Sequence, residues 1–223
     1  MSASLDSSLD PMEEIRFRKK HSRLWIEIQK ETHFTFDEIE KIMIIFFKMQ
    51  KRDEKVTASD HISRLHFRDV LHTGLGMTDS YMMDRVMVAL DRGTTPYVTM
   101  GTFAKAMSLY LRGTLDEKIK YAFTQCYDLL GEGHLRRETM YQLMKKSLAK
   151  TSRNDDVEEA VKEFVDIMLK RMDMDLDGVI NFDDFRKSVR QTPSLLESLG
   201  YCIPERPAIY SFLATWCPNW SKM

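Results

Sequence analysis

The stretch DMDLDGVINFDD at 173–184 constrains the chain more than any other. It sets Asp173, Asp175, Asp177, Gly178, Ile180 and Asp184 at positions 1, 3, 5, 6, 8 and 12 of a calcium-loop pattern. Alternate positions turn carboxylates inward toward a hard cation that takes oxygen ligands, and the Gly permits the sharp turn. Position 7 offers a backbone carbonyl, that of Val179, and Asn181 at position 9 would act through a water. A bare DxDxDG run also occurs in surface turns. Apolar flanks at helical spacing make this one the loop of a helix–loop–helix hand.

The flanks recur upstream. With position 1 at Asp91, Asp128 and Asp173, the preceding residue is Leu90, Tyr127 or Met172, and five before the loop stand Val86, Phe123 and Met168. Position 8 is Val98, Leu135 or Ile180, position 13 is Phe103, Met140 or Phe185, and position 17 is Met107, Met144 or Val189. An earlier unit fits through Ile62, Phe67 and Leu71. Counting back puts its position 1 at Lys55, yet the incoming helix reads as ending near Phe47 or Lys48. That loop would then carry about seven extra residues and no carboxylate pattern. The fold class expected is all-α: an EF-hand fold of two paired sets of hands, with short β-bridges joining the loops of each pair.

Capping signals place the helices. A helix over about 13–30 follows a polar lead. Thr35 with Glu38, and Thr114 with Glu117, are capping boxes, the first with Phe34 able to staple onto Ile39. Thr78 can cap a helix of about 79–90, and Asn154 or Asp155 one of about 156–172. The organisation expected is a lead and basic helix (1–33), hand pair 1 (34–110: a vestigial hand 34–75 and a degenerate hand 79–110), hand pair 2 (114–192: a degenerate hand 114–148 and a calcium-competent hand 156–192) and a tail (193–223).

Loop chemistry separates the hands. Loop 2, DRGTTPYVTMGT, keeps Asp91 but has Gly93, Thr95 and Thr102 at ligand positions, and Pro96 where Gly is wanted. Loop 3, DLLGEGHLRRET, keeps Asp128, Glu132 and Gly133 but has Leu130 at position 3 and Thr139 at position 12, with Arg136 and Arg137 adding positive charge. One Ca2+ site is therefore expected, in loop 173–184, with Asp173, Asp175, Asp177, the Val179 carbonyl and Asp184 as ligands. Asp184 is one methylene shorter than the usual Glu, which weakens calcium, to a Kd on the order of 10⁻⁶ to 10⁻⁴ M, and makes Mg2+ a competitor. With its partner loop lacking ligands, the site should bind without cooperativity.

Composition narrows the function classes. Thirty-three Lys and Arg balance 34 Asp and Glu, for a net charge of -1, without the basic excess of a nucleic-acid binder. Cys126, Cys202 and Cys217 lack metal-binding spacing and suit a reduced, cytoplasmic compartment. No apolar run approaches a membrane span, the polar start reads as no signal peptide, and Ser2 excludes an N-myristoyl anchor. No P-loop, HExxH, GxSxG or kinase signature appears, so neither catalysis nor a small-molecule substrate is expected. The 16 Met suit either an adaptable core or a binding groove. The first helix carries Arg16, Arg18, Lys19, Lys20 and Arg23, a solvated face or a docking patch for an acidic partner.

GMTDSYMMDRV (76–86), LYLRGTLDEKIKYAF (109–123) and LLESLGYCIP (195–204) together resemble the calaxin family, EF-hand proteins of ciliary and flagellar axonemes. The likeness runs from about Phe34 to about Pro204 and takes in the hand spacing, the long first loop and the Asp at position 12. It implies protein partners at outer-arm dynein and its docking complex on doublet microtubules, where calcium alters the contact with dynein and so the beat. It also implies the same five ligands by position. The chain departs from the family in loops 2 and 3, which normally carry ligands, and in the tail, where Trp216 and Trp220 could either fold back into a groove or anchor a partner. Two other readings stand beside a calcium-modulated axonemal adaptor: a calcium-independent structural subunit, and a regulatory subunit in the manner of calcineurin B.

Overall fold

The computed structural model describes residues 10–52, 60–90, 95–128, 130–148 and 155–216. The fold is helical with two short antiparallel strand pairs, as the hand repeat requires. Strand β1 (His61–Ser63) pairs with β2 (Tyr97–Thr99) so that Ile62 faces Val98, and β3 (His134–Arg136) pairs with β4 (Val179–Asn181) so that Leu135 faces Ile180. These four are the position-8 residues, all buried. Each bridge thus ties two loops through one apolar residue apiece while the flanking residues stay exposed or half-buried.

The chain divides into two compact units. The first draws on Met1–Gly76, Gly93–Gly113 and Glu205–Met223, and the second on Met77–Arg92 and Thr114–Pro204. The expected pair 34–110 thus contributes to both: its helix 80–89 belongs to the second unit, and its strand and outgoing helix to the first.

In the first unit, α1 (Pro11–Lys30) starts on an Asp10 cap with Pro11 at its first turn, where a missing N–H costs nothing. It buries Phe17, His21, Trp25 and Ile28, with Phe17 stacked on Phe47 at 4.1 Å. Helix α2 (Phe36–Arg52) opens on the expected box: Thr35 N–H donates to Glu38 Oε2 at 2.9 Å, and Glu38 N–H to Thr35 Oγ1 at 3.4 Å. Buried Glu38 also takes the guanidinium of Arg112 from α5 (Met100–Arg112). Helix α2 corrects one expectation. It does not end at Lys48 but runs to Arg52, because Ile42, Phe46 and Met49 continue one buried stripe while Lys48 and Lys51 lie off it. Lys55 therefore stands three positions after the helix end and not seven; residues 53–59 lie outside the described residues. Helix α3 (Arg64–Leu75) stops on Gly76, which is left-handed with φ 66°. Phe46 and Phe67 both meet Phe103 in this core.

The segment after Pro193 is not a bare tail. A short 3-10 turn, Pro193–Glu197, closes on the second unit, and α10 (Arg206–Trp216) packs in the first unit against α3 and α5. Its Ile209, Phe212 and Leu213 are buried. Trp220 and the Trp216 side chain lie outside what is described.

In the second unit, α4 (Ser80–Ala89) is capped by Asp79 and not by Thr78, since the Asp79 carboxylate accepts from the N–H groups of Tyr81 and Met82 at 3.0 and 3.1 Å. Helix α6 (Leu115–Tyr121) opens on the expected Thr114–Glu117 box. Past α6, residues Ala122–Tyr127 widen into a π-turn whose last carbonyls are claimed from outside. The Arg85 guanidinium donates to the carbonyls of Cys126 and Tyr127. Helices α7 (Arg137–Leu148), α8 (Asp155–Met172) and α9 (Phe182–Gln191) complete the two hands around Phe123, Tyr127 and Phe185.

Candidate metal centre

Loop 173–184 hangs between α8 and α9 and folds around its own first carboxylate. Buried Asp173 accepts the N–H of Asp177 on Oδ1 at 3.2 Å and that of Gly178 on Oδ2 at 2.9 Å. The turn this requires puts Leu176 at φ 61° and Gly178 at φ 86°. Gly takes that conformation freely, whereas Leu bears roughly 1–2 kcal/mol of steric cost. Asp177 Oδ1 accepts the Val179 N–H at 2.9 Å, which aims position 5 back over the loop.

One carboxylate oxygen from each of Asp173, Asp175 and Asp177 lies within 4.8 Å of the other two. Three hard oxygens converging from carboxylates suit a hard divalent cation and no soft metal. The crowding shows in Asp175, whose pKa lies above the usual carboxylate value. Desolvation is the main cause, and the charges of Asp177 and Asp184 add to it against a stabilising bond from the Asp177 backbone.

The other two expected ligands are a backbone carbonyl and a fourth carboxylate. Val179 opens β4, opposite Arg136. Asp184 is buried but outside the group of three, at the third position of α9. Its N–H donates to Asn181 Oδ1 at 3.0 Å, and its Oδ2 accepts the Asn181 N–H at 3.4 Å. Asn181, expected to act through a water, is here the helix cap.

That cap is a pattern the sequence reading passed over. Position 9 caps the outgoing helix and position 12 is its third residue in three of the hands: Ser63 with His66, Thr99 with Thr102, and Asn181 with Asp184. The signal was a Ser, Thr or Asn three residues ahead of each position 12. Loops without ligands keep this local architecture because it starts a helix, whether or not it holds an ion.

Loop 3 makes the same point at position 1. Asp128 accepts the N–H groups of Glu132 and Gly133 at 3.0 and 2.7 Å, with Gly131 and Gly133 at φ 70° and 78°. The turn is that of loop 173–184 with the chemistry removed. Leu130 at position 3 points into solvent, and the Glu132 carboxylate lies 3.8 Å from Arg136 Nε. Arg137 instead bridges to Asp166 of α8 at 2.7 Å. In loop 2, Asp91 and Gly93 lie outside the described residues, while Thr102 Oγ1 is bonded to Thr99 Oγ1 at 3.0 Å. Among the described residues the Asp173–Asp175–Asp177 cluster is the one group of carboxylates, thiols or imidazoles arranged to hold a metal.

Comparison with known proteins decides the family. The chain is 38% identical to calaxin of Danio rerio over 180 residues, covering 81% of this chain and 85% of that one. It is 35% identical to calaxin of Homo sapiens over 198 residues, covering 88% and 93%. The chain belongs to the calaxin family. No family model matches it. Calaxin of Xenopus laevis is 37% identical over 180 residues, 81% of this chain and 86% of its own. These alignments span most of both chains, so the likeness cannot be confined to one hand and its loop. No helix among the described residues is long and apolar enough to cross a membrane.

Proposed function

We propose that this chain is a calcium-binding adaptor of the ciliary or flagellar axoneme, acting at outer-arm dynein and its docking complex to modulate motility. Membership of the calaxin family carries this reading. The converging carboxylates of Asp173, Asp175 and Asp177 support the calcium half of it. The ligands are those three carboxylates, the Val179 carbonyl and Asp184, and the ion supplies a charge that gathers loop and outgoing helix together. Asp184, with one oxygen turned to the Asn181 N–H, serves as a one-oxygen ligand, so calcium binds with a Kd on the order of 10⁻⁶ to 10⁻⁴ M and magnesium competes.

A second reading, a calcium-independent structural subunit of the same assembly, is favoured by loop 3. There position 3 is an exposed Leu and position 12 is Thr139, so the surviving Asp128 has no set of carboxylates to share an ion with. Calorimetric titration of the full chain and of its Asp173→Ala variant separates the two. The adaptor reading expects one site without cooperativity in the wild type and none in the variant. No heat at calcium of about 10⁻³ M, the weak end of the EF-hand range, leaves the structural reading. Capture of outer-arm dynein from axonemes with and without calcium tests the partner; recovery in neither condition removes the axonemal assignment.

A further inference from the structure

Helix α1 has two worked faces, and the core uses one of them. Phe17, His21, Trp25 and Ile28 point inward and are buried. The opposite stripe follows the same 3.6-residue period through Met12, Ile15, Arg16, Lys19, Arg23 and Ile26, all exposed. Its apolar members are large and open: Met12 is 55% exposed, Ile15 57% and Ile26 47%. Among the described residues nothing in the packing of α1 calls for them.

The charges of this helix are sorted the same way. On its flanks, acids and bases neutralise one another. Arg18 is held by Glu14 and Glu40 at 2.7 Å each, Lys20 by Asp60 at 2.9 Å, and Glu13 by Lys51. On the outer stripe Arg16, Lys19 and Arg23, joined by Lys30 one turn past Ile26, have no ion pair among the described residues, and Glu27 at its edge is the only acid. A chain of net charge -1 thus concentrates four uncompensated cations along about 21 Å of one helix.

We propose that this outer face of α1 docks a carboxylate-rich polypeptide segment carrying apolar side chains. The cations at 16, 19 and 23 supply charge complementarity, and Ile15 and Ile26, about 16 Å apart along the axis, supply the apolar contacts that give such a patch affinity as well as attraction. An anionic bilayer is the poorer fit. Helices that lie in a membrane interface offer aromatic residues to the lipid, and here Phe17 and Trp25 are spent on the core. The assignment draws on no residue of the calcium loop.

The test uses the full chain and a fluorescent synthetic peptide of alternating Glu and Leu blocks, beside the same peptide with Gln for Glu. Vesicles containing phosphatidylserine are sedimented in parallel. The wild type is expected to bind the Glu peptide about tenfold better than the Gln peptide, and less tightly as salt rises past about 0.1 M. Arg16→Glu/Lys19→Glu/Arg23→Glu should lose at least about tenfold, and Ile15→Ser/Ile26→Ser about threefold, a loss that charge alone would not produce. All these side chains are exposed, so helical circular dichroism should not change. Asp173→Ala should bind as the wild type does, which keeps this result separate from any failure of the calcium reading. No peptide binding, binding that survives the charge reversal or prefers Gln, or retention by vesicles in its place overturns the proposal.

Discussion

At the level of residues the proposed calcium site turns on a single methylene. Asp184 does two jobs: it closes the Asn181 box at the start of α9 and it is the proposed twelfth-position ligand. A Glu there would keep the box, since Glu is the usual third residue of such a cap, and would reach the ion with both oxygens. Asp184→Glu should therefore tighten calcium by about tenfold and widen the preference over magnesium, as one added oxygen ligand would. Titration in chelator-buffered calcium checks this, and an unchanged Kd would show that position 12 does not bind the ion. Most of this loop could be read from the chain, because the ligand types and the Gly are fixed by chemistry that spacing records. Leu176 could not. Its φ of 61° comes from the Asp173 carboxylate reaching two N–H groups, and nothing in the letter Leu announces a left-handed residue.

Elements were legible where a repeat imposed them and obscure where one-off contacts did. The position-8 column marks the bridging residues, because one apolar residue per loop is all the bridge buries. Helix α10 was missed although Ile209, Phe212 and Leu213 stand at helical spacing after Pro207, since no hand repeats it. Its seat depends on Gly74 in α3. A Cβ there would lie 3.3 Å from the Phe212 ring, so the helix comes in against bare backbone. Gly74→Val asks the ring to move and removes that seat. The expected outcome is a loss of about 1–3 kcal/mol in denaturant unfolding, the usual scale for overpacking, with new protease cleavage within 206–216. A variant that stays protease-resistant there would mean α10 is held by its other contacts. The π-turn at 122–127 was likewise illegible, as the group that takes its last two carbonyls, Arg85, is some forty residues away in sequence.

For the whole molecule, each unit has its own solution lever. The calcium loop lies in the second unit, and buried His21 lies in the first. His21 has a pKa below its ordinary 6.5, chiefly because burial penalises the charged ring, with Lys20 adding to this and Asp60 at 3.4 Å opposing it. The unfolded chain therefore binds a proton at higher pH than the folded one. The stability this neutral ring allows is whole above about 6.5 and is lost as pH falls from there toward the lower folded value. At the proposed site calcium would act oppositely and elsewhere: an ion that binds only the folded loop adds about 2.7 kcal/mol at a hundred times Kd. Amide hydrogen exchange, corrected for the intrinsic effect of pH, should show both. Calcium should slow exchange in α8, α9 and β3–β4, and Asp173→Ala should abolish the effect. Lowering pH from 7 toward 5.5 should speed exchange in α1 and α2, less so in His21→Phe, whose ring keeps the tilted contact with Phe17 without the titrating group. Acid-induced opening of α1 that is unchanged in His21→Phe would assign the pH response to carboxylates such as Asp60 instead. Calcium protection that spreads equally through α1 and α2 would show that one ion braces both units.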